Sequence, residues 1–151
     1  MRPTIAIAVG MTVLAVLGGC GSSDGGETKS RSAEAVIRDW SDTLRAGDVR
    51  GAADFFALPS IVSNGTPPVV LRTRSQVRRF NEALPCGARL LRTSSSAGFT
   101  TAVFRLTERP GPGSCGTGTG MTARTTFVVR EGKIREWRRV ADSPAPAGPI
   151  V

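Results

Sequence analysis

The sequence has no histidine and no tyrosine among its 151 residues. Without an imidazole, the chain cannot use histidine as a general acid or base, or as the usual nitrogen ligand of a zinc ion. Without a phenol, no tyrosine hydroxyl can donate a hydrogen bond to a developing oxyanion. Acid–base chemistry would depend on carboxylates, and the sequence predicts neither a bound metal nor a cofactor.

Long apolar runs are also missing, except near the amino terminus. Residues 5–17 are uncharged and mostly apolar, Arg2 precedes them, and Leu17-Gly18-Gly19-Cys20 completes the segment. This arrangement resembles the lipobox of bacterial lipoproteins, in which the cysteine receives a diacylglyceryl group and the preceding peptide is removed. The resemblance implies a signal peptide over residues 1–19, a lipid on Cys20, and anchoring at the extracytoplasmic face of the cell membrane.

An uncleaved membrane helix is the alternative explanation for the apolar run. A transmembrane helix needs about 20 apolar residues, whereas this run is shorter, ends in Gly18 and Gly19, and is followed by glycine, serine and aspartate. A lipid anchor is therefore favoured. Residues 20–31 carry no large apolar side chain and are predicted to form a flexible tether.

Only three cysteines are present. If Cys20 is lipidated, Cys86 and Cys115 remain as a pair in an oxidising compartment, where a disulfide is expected. They have no further ligands nearby to complete a metal site, and no imidazole to activate a thiolate. The sequence predicts a Cys86–Cys115 disulfide, worth roughly 3–4 kcal/mol of stability in the chain-entropy model.

Acidic residues are outnumbered by basic ones. The chain has 20 lysines and arginines against 12 aspartates and glutamates, a formal net charge of +8. The basic residues include the short pairs Arg78-Arg79 and Arg138-Arg139 but form no long run, and an exported, tethered domain meets anionic lipid and wall polymers first. The sequence therefore does not predict nucleic acid as a partner.

The segment after the tether begins with helical patterns. Apolar residues at helical spacing predict a first helix over residues 32–44, and Asp48 is a favourable N-cap for a second helix over residues 49–57. Thr73 and Gln76 have the spacing of a capping box, which predicts a third helix.

The remainder of the chain is predicted to be β-rich. Residues 61–62 and 69–71 are short extended pieces on either side of a turn, and Glu131-Gly132 is a tight turn between the last two strands. Longer strands are predicted over residues 88–93, 99–107, 121–130 and 133–140. These elements predict one α+β domain over residues 32–142, followed by a disordered, proline-containing tail over residues 143–151.

Three segments of this domain carry a family resemblance. They are the helix containing Trp40, the turn 46–48 with Ala53-Asp54-Phe55-Phe56 behind it, and the closing hairpin 127–134. In this order and spacing they resemble the nuclear transport factor 2-like superfamily, which includes SnoaL-like polyketide cyclases and ketosteroid isomerases. The resemblance covers residues 33–140.

The resemblance implies a cone-shaped, cystatin-like α+β roll, with three N-terminal helices packed in a strongly curved antiparallel sheet around an apolar pocket. Family dimers pair through the sheet, so the resemblance also implies a possible homodimer. Enzymes of the superfamily place tyrosine, histidine, aspartate or arginine in the cone. Since this chain lacks the first two, Asp54 and Glu136 are the candidates for a catalytic base.

Asp54 lies on a predicted helix, where a solvated carboxylate is the simpler interpretation. Glu136 depends on which face of the last strand points into the cone. If Ile134 faces inward, Glu136 and Arg138 enter the cone as an ion pair; if Trp137 faces inward, both charges are solvated. The sequence leaves both alternatives open. The candidate pocket residues are Trp40, Phe56, Phe104, Phe127, Glu136 and Arg138.

These patterns predict a membrane-anchored lipoprotein whose cone binds a small apolar ligand or a partner protein without catalysis. One alternative is a SnoaL-like hydrolase, lyase or isomerase that uses a pocket carboxylate. Another is an interaction module that docks on an envelope protein or a wall polymer through Arg135, Trp137 and Arg139. An exposed Trp137 would favour docking, and an enclosed cavity with polar groups at its base would favour ligand binding or catalysis.

Overall fold

A computed structural model of the chain describes residues 31–141. The predicted signal peptide, Cys20, the tether up to residue 30 and the tail 143–151 lie outside this range. The described helices and strands are α1 (Ala33–Arg45), α2 (Val49–Asp54), β1 (Phe56–Ser63), β2 (Val69–Leu71), α3 (Arg74–Glu82), β3 (Gly87–Ser96), β4 (Phe99–Thr107), β5 (Thr122–Arg130) and β6 (Lys133–Val140). Among these helices, none combines the length and apolarity that a membrane span requires.

Local sequence signals account for the boundaries of α1 and α3. Ser32 caps α1 by accepting a hydrogen bond from the backbone N–H of Ala35 at 3.2 Å. The chain leaves this helix through Gly47, whose φ of +89° favours glycine. The capping box predicted for α3 is confirmed, because Thr73 and Gln76 exchange side-chain and backbone hydrogen bonds.

The second helix is shorter than predicted. It ends at Asp54, and the residues from Phe56 onward form β1 instead of a last helical turn. The reason is tertiary, because β1 pairs in parallel with β6 near the far end of the domain. Two strands, β1 and β2, lie between α2 and α3, where the sequence predicted two short extended pieces.

The sheet has six strands in the order β2-β1-β6-β5-β4-β3. Four of its neighbouring pairs are antiparallel, whereas β1 and β6 run parallel. The sheet is therefore mixed, which corrects the expectation of a purely antiparallel one. Parallel neighbours need a crossover connection, and here that connection is the whole chain from β2 to β5.

The pairing of the strands is irregular at three places in the sheet. The register shifts between Phe56 and Ile61, between Leu90 and Arg92, and between Val128 and Val129. An extra residue in one strand bends that strand and increases its twist. These shifts fit a sheet that curves around the helices, as the cone-shaped fold requires.

The core lies between the helices and the inner face of the sheet, with Trp40 at its centre. Its ring makes edge-to-face contacts at centroid distances of 5.7–6.4 Å with Phe56, Phe104, Phe127 and Trp137. Such pairs contribute about 0.5–1.5 kcal/mol each beyond the burial of their area. One side chain of α1 thus connects four strands of the sheet.

Candidate functional site: a cavity in the cone

A cavity of about 180 Å³ lies between α1, the end of α3 and the inner face of the sheet. Its apolar lining is formed by Trp40, Leu44, Leu84, Pro85, Cys86, Ala88, Phe104, Leu106, Ala123 and Trp137. Four polar residues, Ser41, Asn64, Thr125 and Arg139, complete it. A mostly apolar concave site with a few polar groups is the usual character of a small-molecule site.

Strand alternation explains why β5 lines this cavity. Ala123, Thr125 and Phe127 are buried on the inner face, whereas Thr122 and Arg124 are exposed on the outer face. Ala123 leaves room above the sheet that a larger side chain would fill. The small inward residue is thus part of what creates the cavity.

A bulge in β6 determines which of its side chains face the helices. Val128 pairs with Glu136 and Val129 pairs with Ile134, so Arg135 is the additional residue. As a result, Ile134 and Trp137 are both buried although they are three positions apart. Of the two alternatives that the sequence left open, the structure shows Trp137 facing inward.

Glu136 and Arg138 consequently lie on the outer face of the sheet. Their side chains form an ion pair at 2.7 Å, with 25% of Glu136 and 39% of Arg138 exposed. The alternative in which this pair enters the cavity is not the one that the structure shows, because the bulge turns both residues away from the helices. Partly exposed pairs of this kind contribute at most about 1 kcal/mol.

Asp54 is also remote from the cavity lining. It is exposed at the last position of α2, and its carboxylate lies 4.0 Å from Nε of Arg74. Neither catalytic candidate is among the residues that line the cavity. The described geometry does not place either carboxylate at the cavity. Their role as a base stays a prediction.

The aromatic candidates divide between the cavity and the core. Trp40 and Phe104 line the cavity. Phe56 and Phe127 are fully buried core residues that pack against Trp40 and are absent from the lining, which corrects their assignment. Sequence reasoning did not assign Ala123, Thr125 and Arg139 to the cavity. The alternation along β5 was the signal for the first two, whereas Arg139 was considered only as part of a docking surface.

Two of the four polar residues of the site, Thr125 and Arg139, lie on β5 and β6. Thr125, only 3% exposed, is directly opposite Arg139 in the strand register. The indole nitrogen Nε1 of Trp137 is buried and has no hydrogen-bond partner among the described residues. Within residues 31–141, no group of acidic, cysteine or histidine side chains could hold a metal ion.

The predicted disulfide is confirmed at one side of the cavity. Cys86, which lines the cavity, is bonded to Cys115. The carboxylate of Glu108 holds the loop around Cys115, accepting hydrogen bonds from the backbone N–H groups of Cys115 at 3.1 Å and Gly116 at 3.0 Å. Together with the Thr119 hydroxyl, these donors lower the pKa of Glu108 below its ordinary value.

Arg109, the residue after Glu108, fixes the chain at the end of α3. Its guanidinium is buried and donates to the carbonyl oxygens of Asn81, Glu82 and Leu84 at 2.7–3.3 Å. These carbonyls belong to the C-terminal end of α3, where a cation also interacts favourably with the helix dipole. These hydrogen bonds from a charged group therefore hold the part of the cavity wall that contains Leu84.

No protein-family model matches the sequence, and no curated protein matches it. Solved structures do share its fold. A candidate polyketide cyclase from Sinorhizobium meliloti has a TM-score of 0.55 at 14% identity, covering 70% of this chain and 94% of its own. An NTF2-like protein of unknown function from Cytophaga hutchinsonii has a TM-score of 0.57 at 8% identity, covering 76% and 94%.

A candidate ketosteroid isomerase from Kribbella flavida has a TM-score of 0.51 at 18% identity, covering 75% of this chain and 82% of its own. The chain thus has an α+β fold with a mixed six-stranded sheet, similar to the NTF2-like and SnoaL-like structures. At these identities the likeness concerns the fold, and function has to be argued from the site.

Proposed function

We propose that this protein binds a small, mostly apolar molecule in the cone and does not transform it. The supporting observation is the composition of the cavity lining, which in the described part of the chain includes no aspartate or glutamate. Since the sequence also has no histidine or tyrosine, the cavity holds none of the usual proton-transfer groups. Its hydrophobic and aromatic surface is suited to binding.

The cavity volume limits the size of the ligand. Dry cavities of about 150 Å³ in other proteins bind benzene, whereas drug-sized ligands occupy about 300–1,000 Å³. A volume of about 180 Å³ therefore suits one ring or a short branched chain. Ligands with several fused rings would require the cone to open.

The fluorescence of the chain's own tryptophans can report this binding. It contains two tryptophans and no tyrosine, and both tryptophans line the cavity. We expect toluene to change the tryptophan emission of the full-length protein in a saturable way. Ala123→Leu should abolish that change by filling the cavity, whereas Ala83→Leu, at an exposed position outside the lining, should leave it intact.

A titration with no saturable change would contradict the proposal. Equal responses of the Ala123→Leu and Ala83→Leu variants would contradict the assignment of the cavity. Circular dichroism of both variants shows whether each has kept its fold, because overpacking costs about 1–3 kcal/mol.

SnoaL-like catalysis is the second candidate function, and the names of the similar structures favour it. Two of them are a candidate polyketide cyclase and a candidate ketosteroid isomerase. Catalysis of that kind would require a carboxylate that reaches the bound molecule, and Asp54 and Glu136 lie outside the lining. Turnover of a bound ligand that is lost in Glu136→Gln or Asp54→Asn would establish this function.

We further propose that a lipid on Cys20 holds the domain at the extracytoplasmic face of the membrane. The proposal rests on the apolar run and the Leu17-Gly18-Gly19-Cys20 motif. Mass spectrometry of the amino-terminal peptide should show a cysteine that carries acyl chains, and Cys20→Ala should abolish both cleavage and acylation. An unmodified Cys20 in membrane-associated protein would contradict it.

The docking alternative loses the observation that would have favoured it. Trp137 is 4% exposed and packs against Trp40 and Phe80. It is therefore not an exposed aromatic side chain between two arginines, and the cavity that it lines is the feature that supports the proposal.

A further inference from the structure

We infer that the ligand is a small carboxylic acid, whose carboxylate binds Arg139 and Thr125 while its apolar body fills the cavity. This inference rests on the proposed binding function and specifies its ligand class. It is carried by the relative placement of three side chains on β5 and β6.

The first observation is geometric. Thr125 and Arg139 are directly opposite each other in the antiparallel pair of β5 and β6, and both belong to the cavity lining. Side chains at opposite positions have Cβ atoms about 4.5–5.5 Å apart. A hydroxyl and a guanidinium at that separation can both reach the two oxygen atoms of one carboxylate.

The second observation concerns charge. Arg139 has no salt bridge to any residue within 31–141, whereas its neighbours Arg135 and Arg138 are paired with Glu131 and Glu136. The lining itself contains no acidic side chain. The cavity is thus an apolar space with one exposed cation and no counter-charge in the described chain, and a ligand anion would supply that charge.

The third observation is the buried indole of Trp137. Its Nε1–H has no acceptor among the described residues, although the residue is only 4% exposed. Buried donors without a partner are uncommon and costly. An acceptor oxygen on a ligand next to Trp137 would satisfy this donor.

A carboxylate fits this set of groups better than a phosphate. A guanidinium binds a carboxylate through two parallel hydrogen bonds. A phosphate dianion would bring a second charge that no other cation of the lining could balance, since Arg139 is the basic residue among the lining side chains.

The test compares three probes of similar size on the full-length protein, with tryptophan emission as the readout. The probes are benzoate, its neutral analogue benzamide, and toluene. We expect benzoate to bind about tenfold more tightly than benzamide at low ionic strength, which corresponds to about 1.4 kcal/mol. Rising salt should weaken benzoate binding but not toluene binding, because the ionic contact is partly exposed to solvent.

Matched variants locate the effect. Arg139→Met should reduce benzoate affinity by about threefold to tenfold and leave toluene affinity unchanged. Arg124→Met is the control, since Arg124 is exposed on the outer face of β5. Thr125→Val, which keeps the side-chain shape, should also weaken benzoate selectively.

Benzoate that binds no more tightly than benzamide would overturn the inference, as would equal losses in Arg139→Met and Arg124→Met. If toluene still binds saturably in either case, the proposed binding function stands and only the ligand class is wrong. If no probe binds, both the inference and the proposed function fail.

Discussion

The indole nitrogen Nε1 of Trp40 donates a hydrogen bond of 2.9 Å to the amide oxygen Oδ1 of Asn81, and both side chains are buried. The amide nitrogen of Asn81 in turn donates to the carbonyl oxygen of Val77 at 2.9 Å. The pair joins α1 to α3 across the core and orients the aromatic ring that lines the cavity. It satisfies polar groups that would otherwise be costly to bury.

We therefore predict that Asn81→Leu lowers the free energy of unfolding by about 1–3 kcal/mol, because it leaves the Trp40 N–H without an acceptor. The measurement is urea denaturation followed by circular dichroism. The same substitution in a Trp40→Phe background should cost less, since that background has no indole donor. Equal costs in the two backgrounds would show that the hydrogen bond is not the source of the effect.

Arg109→Met should destabilise the domain by about 2–3 kcal/mol. The guanidinium donates to three carbonyl groups at the end of α3, and hydrogen bonds from a charged group are the stronger ones. Arg109→Lys should restore little of this, because an ammonium lacks the planar fork. Thermal denaturation of both variants checks the prediction, with the exposed Arg89→Met as the control.

Replacing Cys86 and Cys115 together by serine should cost about 3–4 kcal/mol, the value that the chain-entropy model gives for a separation of 29 residues. The wild-type protein under reducing conditions should show a similar loss in a denaturation experiment. A double variant as stable as the oxidised protein would mean that the loop is held by Glu108 and its partners alone.

We expect the Glu108 carboxylate to make the stability of the protein depend on pH in a specific way. Its pKa in the folded protein is lowered below its ordinary value of 4.5, first by the hydrogen bond from the backbone N–H of Cys115 and then by that from Thr119. A carboxyl group whose pKa is lower in the folded protein stabilises the folded state at pH values above its ordinary pKa. This contribution to stability is lost as the pH falls through the pKa of the folded protein.

Unfolding measured between about pH 6 and about pH 3 should therefore show a smaller loss of stability in Glu108→Gln than in the wild type. Glu82→Gln, at an exposed carboxylate on α3, is the control and should follow the wild type. Parallel pH profiles of Glu108→Gln and the wild type would contradict the assignment.

Glu136→Gln and Asp54→Asn should leave toluene and benzoate affinities unchanged, because neither carboxylate lines the cavity. Their stabilities should change by no more than about 1 kcal/mol, since both groups are in exposed or partly exposed pairs. A large loss of ligand affinity in either variant would favour a site that includes the outer face of the sheet.

Local signals in the sequence predicted the elements that depend on neighbouring residues. The caps at Asp48 and Thr73 are confirmed, and the turn at Glu131-Gly132 has positive φ at both positions, as the tight hairpin requires. The disulfide followed from the count of cysteines and the expected compartment. Each of these features has its cause within a few residues of chain or in composition.

The features that the sequence did not predict depend on distant pairing. Nothing near Phe56 indicates that this segment forms a strand, because its partner Ile134 lies near the end of the domain. The bulge at Arg135 changes the inward face of β6 partway along the strand, and simple alternation cannot predict that change. This single extra residue turns Glu136 to the outer face of the sheet. The hypothesis that Glu136 acts as a base in the cavity therefore depended on it.

The parallel contact between β1 and β6 also has a kinetic consequence. The two strands are separated by most of the domain, so their pairing requires the closure of a long loop before any of its contacts form. A nascent chain that has not yet been synthesised through residue 140 leaves one side of β1 without its partner. The second half of the sequence thus determines when the first half can complete its fold.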